Sequence, residues 1–569
     1  MNRRDTSSSS FERERGWVPP RHGGDVRVAL AFPGPYRAGM SSLGFQTVLY
    51  GFASLPGVLA ERVFLEPGGA ALDVRDAGFA PRDADLLAFS ISGENDYEQL
   101  LRMLAHAGLP LRAADRSPGA PLIVAGGIAP TLNPEPIAPF VDAVAIGEGE
   151  ELFAPLVDAV RGRAGRETAI GRLCGAPGIY LPSQFAPSYA EDGTLAAFDP
   201  VGGGLRRVVR AAVRDLDAWQ TYGRTVAPGS EFEKLCLVEV SRGCGRGCRF
   251  CAAGHVVRPL RHRSLPALRA AIAATADLQP RVGLLGAAVA DHPDLTQLGR
   301  ELVAAGRGFS LSSLRLDRVD PELLDLLAAG GTRTATFAPE TGSERLRFAA
   351  GKRIADAQIL DAAERTAAAG LRQLKLYFMI GLPTETPDDR AAIPDLVRRV
   401  RERTLLGRRE KTDLVRISVT LGGFVPKAWT PFQWHPFAGV RALKEAQSAL
   451  IRELRKIPNV AITHDVPKWS YLQALLSLGD RRVADILEAA VLGDDWPRAL
   501  REAAVEPDFF VTRGRSSDEL LPWDFVETGL TKSALRVQYE KALAGGAAPA
   551  SGAHVGAVPV AAAGEGDGG

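Results

Sequence analysis

Apolar residues along the chain alternate between two rhythms. Compact apolar runs, of the kind that form strands buried on both faces, are separated by stretches with apolar positions at helical spacing. RVALAFP (27–33), RVFLEP (62–67), DLLAFSIS (85–92), PLIVAGG (121–127) and DAVAIGEGE (142–150) are the first strand candidates. A glycine-bearing turn, PGPYRAGMSSLG, leads into a helix ending near Leu55, and Tyr97, Leu100, Leu101 and Leu104 share one helical face. The series predicts a doubly wound, Rossmann-like parallel sheet over 25–160. In such sheets ligands lie at the carboxyl ends of the strands, here Pro33 to Gly44, Ser90 to Asn95, Gly126 to Asn133 and Gly147 to Glu150.

Residues 161–230 have no clear period and read as a linker with a small substructure. A second series begins near Leu235. Its strand candidates are LCLVEVS (235–241), VGLLGAA (282–288), FSLSSLRL (309–316), RTATFAP (333–339), QLKLYFMIG (373–381) and LVRISVTL (414–421), with helical stretches between them. Six β-α repeats over 231–440 are too few for an eight-fold barrel and predict an open (β/α)6 partial TIM barrel. From 441 to 544 the pattern is mainly helical, as in ALKEAQSALIRELRKI and YLQALLSLGDRRVADILEAAV. Residues 1–24 and 545–569 read as flexible ends, the latter low in complexity. The fold class is therefore α/β.

Length and charge narrow the function. A chain of 569 residues holds several domains. With 68 Lys and Arg against 67 Asp and Glu, the net charge of +1 excludes a broad phosphate-gripping face and disfavours a nucleic-acid substrate. No stretch of about 18 or more residues is dominated by Leu, Ile, Val and Phe, so no membrane span is expected. The N-terminus carries no apolar secretory core, and a cytoplasmic location is expected.

Of the five cysteines, Cys174 and Cys236 stand apart and read as small apolar residues, whereas Cys244, Cys248 and Cys251 fall in SRGCGRGCRFCAAGH. This CxxxCxxC loop follows a strand candidate. Three thiolates on one loop suit an iron–sulfur cluster, and a cuboidal four-iron cluster then keeps one iron open for chemistry. Gly243, Gly245, Gly247 and Gly254 let the loop wrap, and Arg242, Arg246 and Arg249 would offset the cluster's negative charge. A structural zinc site with His255 as fourth ligand is the alternative reading of the spacing. His255 and His262 otherwise read as packing or surface residues, and RPLRHR (258–263) is a short basic patch facing an anion or solvent.

CxxxCxxC with Phe250 before the last cysteine, opening a six-stranded β-α series, resembles the radical S-adenosylmethionine (SAM) superfamily. GLLGAAVADHP, FAPETGSERLR and KLYFMIGLPTET follow in the superfamily's order. FVPKAWTPFQW, together with GGIAPTLNPEP and AVAIGEGEE, is similar to the subgroup with an N-terminal cobalamin-binding-type domain, and within it to an uncharacterised branch with a PWDF-type segment, here Pro522 to Phe525. The resemblance implies that Cys244, Cys248 and Cys251 hold a 4Fe-4S cluster whose open iron takes SAM. SAM would be cleaved reductively to a 5'-deoxyadenosyl radical, the electron coming from a donor such as flavodoxin or ferredoxin. It further implies SAM contacts at Phe250, Gly286, Ser312, Arg315, Glu340 and Gly381. Cobalamin would lie along Ser90, Gly126, Gly127, Thr131, Gly147 and Glu148. The loop PGPYRAGMSSLG has no histidine, so cobalamin would bind without a lower histidine ligand, the alternative being a degenerate domain without cofactor that serves as scaffold or lid.

The expected reaction is methyl transfer to an unactivated carbon or a radical rearrangement, on a substrate the sequence does not name. A methylthiotransferase is the runner-up. It needs further cysteines in its N-terminal domain, and residues 1–173 contain none. A non-enzymatic iron–sulfur or zinc protein is the third reading.

Overall fold

The computed structural model describes residues 14–20, 22–201 and 206–545. The expected flexible ends therefore lie largely outside the described residues. The last part of the first one is ordered: Arg15–Gly16 pair antiparallel with Thr225–Val226, and Glu14 forms an ion pair at 2.9 Å with the fully buried Arg62. The reading of 1–24 as flexible is corrected at this point.

The N-terminal sheet has seven strands: β1 Val26–Phe32, β2 Val58–Leu65, β3 Leu72–Arg75, β4 Leu86–Ser90, β5 Leu122–Gly126, β6 Ala143–Ala145 and β7 Ile179–Tyr180. Their order is β3-β2-β1-β4-β5-β6-β7, with a parallel core and antiparallel edges at β3 and β7. Strand residues alternate between two apolar layers. Ala29, Ala31, Leu87, Phe89 and Ile123 belong to one; Val28, Leu30, Leu86, Ala88 and Val124 belong to the other. Burial on both faces is what the uninterrupted apolar runs encode. Order reverses between β1 and β4, so the ligand crevice of a doubly wound sheet falls there.

The segment 161–230 is more than a linker. Its helix Arg166–Leu173 packs against the sheet's apolar layer, β7 closes the sheet, and Phe185–Tyr189 with Leu195–Pro200 form a hairpin. The two-residue strand β7 is too short to carry a pattern of its own.

In the second half, β8 Cys236–Glu239, β9 Arg281–Leu285 and β10 Gly308–Leu311 form one parallel sheet. A second comprises β11 Thr334–Glu340, β12 Gln373–Ile380, β13 Arg416–Gly423 and β14 Val460–His464, again parallel. The two sheets join where Leu314 N–H donates to Thr336 O at 3.1 Å. All six expected strands are present. The seventh, β14, lies in the region expected to be helical. VAITH comes soon after the helix Val440–Leu454, and only its pairing with β13 reveals it.

The remaining C-terminal helices clasp both halves. Asn133 donates to the carbonyls of Ser477 at 3.1 Å and Gly479 at 2.8 Å, and Arg481 bonds the buried Glu135 at 3.0 Å. In the PWDF segment, Trp523 is fully buried and donates to Gln433 at 2.9 Å, while Phe525 stacks on Phe198. Among the described residues no helix is long and apolar enough to cross a membrane.

Candidate active site

The cysteine loop leaves the end of β8 through a short antiparallel pair, Ser241–Arg242 with Arg261–His262. Gly243 sits at φ 83°, and a Cβ there would stand 2.0 Å from the Val257 carbonyl, so the turn requires glycine. The loop is pinned from outside. Arg249 N–H donates to Ala350 O at 2.9 Å, its guanidinium to Ala349 O at 2.6 Å, and its carbonyl accepts from Phe432 N–H at 3.3 Å.

Cys244, Cys248 and Cys251 are all partly exposed, and their thiols interact electrostatically with one another. Burial pushes the Cys248 thiol up to about 12, opposed by the Lys352 ammonium and reinforced by Cys251, Glu340 and Cys244. Burial raises Cys251 as well, against backbone N–H groups of Gly254 and Ala253. Iron binding there therefore has to displace protons. Among the described residues no group of three or more His, Cys, Asp or Glu is arranged to hold a single metal ion. A cuboidal cluster instead takes each thiolate on a different iron, and three thiols lining one loop beside a lysine suit that donor set.

His255 does not face the thiols as a fourth ligand. It is buried, its ring is held neutral by burial with a pKa of about 4, and its Nε2 lies 3.0 Å from the Cys248 carbonyl. It positions the cysteine's backbone. The three loop arginines are also spoken for. Arg242 pairs with Glu148, Glu150 and Glu239, Arg246 with Asp291 at 3.1 Å, and Arg249 with backbone carbonyls. The cation beside Cys248 is Lys352, which the sequence reading missed because it lies about a hundred positions downstream.

The residues read as SAM contacts lie at the carboxyl ends of the parallel strands. A Cβ at Gly286 would stand 2.6 Å from Ser241 Oγ, and Ser312 Oγ donates to Gly286 O at 3.2 Å. These contacts bring the ends of β9 and β10 onto the strand before the cysteine loop. Glu340 has a left-handed backbone (φ 71°) at a register shift in β11 and pairs with Lys352 at 2.5 Å. Burial outweighs that lysine and keeps the Glu340 carboxyl above its usual range. Arg315 is not free for a ligand: it is locked to Asp291 and Asp317. Phe250 points into the apolar cluster of Leu346, Leu382, Phe424 and Phe432. Gly381 (φ 86°) ends β12, its N–H bonded to Glu385 at 2.9 Å.

Residues 44–182 match the family model described as radical SAM proteins, N-terminal, and residues 238–397 match that of the radical SAM superfamily. Together the two matches span more than half of the chain. The chain belongs to the radical SAM superfamily. An uncharacterised protein of Methanocaldococcus jannaschii is 26% identical over 465 residues, covering 81% of this chain and 90% of that protein. The cytidylyl-2-hydroxyethylphosphonate methyltransferase of Streptomyces wedmorensis is 27% identical over 233 residues, 37% of this chain and 42% of that enzyme. Among solved structures, the radical SAM methyltransferase TsrM from Kitasatospora setae aligns at 16% identity with a TM-score of 0.46, covering 74% of this chain and 76% of that one.

The N-terminal domain of this radical SAM protein carries a cavity of about 260 Å³ at the switch between β1 and β4. Ser90, Gly126, Gly127 and Gly147 line it together with Leu30, Val48, Phe52, Ala88 and Phe153. Two of these glycines answer to the protein's own backbone. A Cβ at Gly127 would stand 2.0 Å from Ile91 O, and one at Gly147 would stand 2.2 Å from Ala211 O. Thr131 is buried and stitches the rim, donating to Gly127 O at 2.8 Å and accepting from Gly147 N–H at 3.0 Å. Glu148 corrects the sequence reading. Its carboxylate lies outside the cavity lining and faces the radical SAM core, meeting Arg261 at 2.6 Å and Arg242 at 3.0 Å. Burial raises its pKa, but Arg261 and Arg242 prevail and hold it below the usual range. The basic patch 258–263 is thus part of a domain interface. A second contact, between Lys427 and the buried Glu94 at 2.6 Å, joins the FVPKAWTPFQW segment to the end of β4.

Proposed function

We propose that this radical SAM protein reductively cleaves SAM at a 4Fe-4S cluster held by Cys244, Cys248 and Cys251, and binds cobalamin through its N-terminal domain for methyl transfer to an unactivated carbon. The observation that carries the reading is the convergence of the three-cysteine loop with Gly286, Ser312 and Glu340 at one end of the parallel strands. When bound, the cluster supplies the electron for SAM cleavage and cobalamin a transferable methyl group.

The chain's residues supply the rest. Gly286 and Ser312 hold the strand ends under the cysteine loop, and Glu340, kept near Lys352, offers a carboxyl to the SAM amino group or ribose. Leu30, Val48, Phe52 and Phe153 offer an apolar slot for the nucleotide base of cobalamin, entered past Ser90 and Gly126. Gly127, Gly147 and Thr131 shape that entrance, whereas Glu148 couples it to the cluster loop. The turn Pro33 to Gly44 contains no histidine, which fits cobalamin bound without a lower histidine ligand. A small electron-transfer protein would reduce the cluster, in a reducing cytoplasmic setting that keeps the thiols free.

The test is anaerobic reconstitution with iron and sulfide, reduction, addition of SAM and assay of 5'-deoxyadenosine, with cobalamin measured in the same preparation. Deoxyadenosine from wild type and none from Cys248→Ala is the expected result. Wild type with an intact cluster and no deoxyadenosine, with or without added cobalamin, would count against the enzyme.

A further inference from the structure

The inner face of the second β-α unit is unlike the filled interior of a closed barrel. A barrel core is ordinarily packed with branched apolar side chains. Here Leu374, Leu376, Phe378 and Ile380 of β12 turn outward into the core and are buried, while Lys375 and Tyr377 on the opposite face are exposed, Tyr377 by 40%. The inner face of neighbouring β13 presents Arg416, Ser418 and Thr420, and Thr420 bonds Thr463 of β14 at 2.8 Å. This is a polar, uncovered strand face.

Two cations stand on it. Lys375 pairs in register with Thr336 and Ser418, and Arg416 pairs with Gln373 one rung below, so they are diagonal neighbours on adjacent strands. Among the described residues neither side chain has a hydrogen-bond or ion-pair partner. Gln373, between β11 and β13, is instead tied to Thr334 at 3.1 Å and Ser418 at 3.2 Å. The face leads straight from the cysteine loop: Met379 packs against the same apolar cluster as Phe250, Tyr377 follows, and Lys375 follows that. Met379 lies four residue steps along the strand from Lys375, roughly 13 Å.

We propose that the substrate is an extended organic anion. Its phosphate-, phosphonate- or carboxylate-type group is held by Lys375 and Arg416, its middle lies along Tyr377, and its reacting carbon stands near Met379 under the cysteine loop. The inference rests on the reading of this unit as a radical SAM core. An unpaired cation pair on one face of adjacent strands recognises negative charge, and the strand rise fixes the distance between that charge and the reacting carbon.

Phenyl phosphate, which offers a dianion and a ring, is titrated calorimetrically into the reconstituted full-length protein, with phenol as the neutral control. Wild type is expected to bind phenyl phosphate and not phenol. Lys375→Met should weaken that binding roughly tenfold or more, the scale of a lost charge-assisted contact, while Lys375→Arg retains it. Arg416→Gln should weaken it too. Equal binding by wild type and Lys375→Met, or no binding by wild type, overturns the inference. The deoxyadenosine assay separates the two claims. Deoxyadenosine without Lys375-dependent binding defeats the anion site alone; Lys375-dependent binding without deoxyadenosine defeats the radical SAM reading and leaves the anion site.

Discussion

Glu148 of the N-terminal domain and Arg242 of the barrel face each other at 3.0 Å, Arg242 standing two residues before Cys244. The same carboxylate takes Arg261 and the Val213 N–H, and the neighbouring Glu150 takes Arg242 at 2.7 Å. The rim of the N-terminal cavity and the root of the cysteine loop are therefore one electrostatic unit. All of these side chains are largely buried. Removing one partner leaves the others as uncompensated charges, a loss of about 3–5 kcal/mol for a buried pair. Glu148→Ala should lower the melting temperature by several degrees. Adding Arg261→Met should recover part of it, a coupling that thermal melts of the two single variants and the double variant would read. Additive losses would show that the pair is not coupled.

The cysteine loop gives a paired comparison. Gly243→Ala forces a Cβ onto the Val257 carbonyl at a positive φ, whereas Gly247→Ala, at φ 70°, meets nothing within 4 Å. The first should lose most of its iron and sulfide after reconstitution. The second should keep its cluster at a strain of about 1 kcal/mol. Iron and acid-labile sulfide per chain decide it.

Filling the N-terminal cavity should separate cofactors. Ala88 lines it and is buried. Ala88→Leu should abolish retention of added cobalamin through gel filtration while iron content stays at the wild-type level. Unchanged cobalamin retention would place the cofactor elsewhere.

His435 sets an acid limit. Burial holds its ring neutral, with a pKa of about 4. An unfolded histidine titrates near 6.5, so between about pH 6.5 and 4 the unfolded chain takes up a proton that the folded one refuses. Stability is present above that window and is lost as pH falls through it, by up to about 1.4 kcal/mol per pH unit. His435→Asn should flatten the fall in melting temperature between about pH 6.5 and 5. An unchanged slope would locate the acid sensitivity in other groups.

Local pattern settled much of this protein before any tertiary contact was known. Continuous apolar runs marked the parallel strands of the N-terminal sheet, because strands covered on two faces need no polar positions, whereas β12 and β13, covered on one face, alternate. The CxxxCxxC spacing put Cys244, Cys248 and Cys251 on one loop, because only local chain geometry is required to bring three thiols together there. Tertiary structure decided what depends on distant partners. Val460–His464 becomes a strand only because β13 offers an open edge, and Ile179–Tyr180 only because β6 does. Glu148 reads as a cofactor contact until Arg242 and Arg261 arrive from the other domain. Lys352 reaches Cys248 from another element, and Lys375 and Arg416 meet only because register places adjacent strands side by side. Charges act through space, and the chain records them only in order.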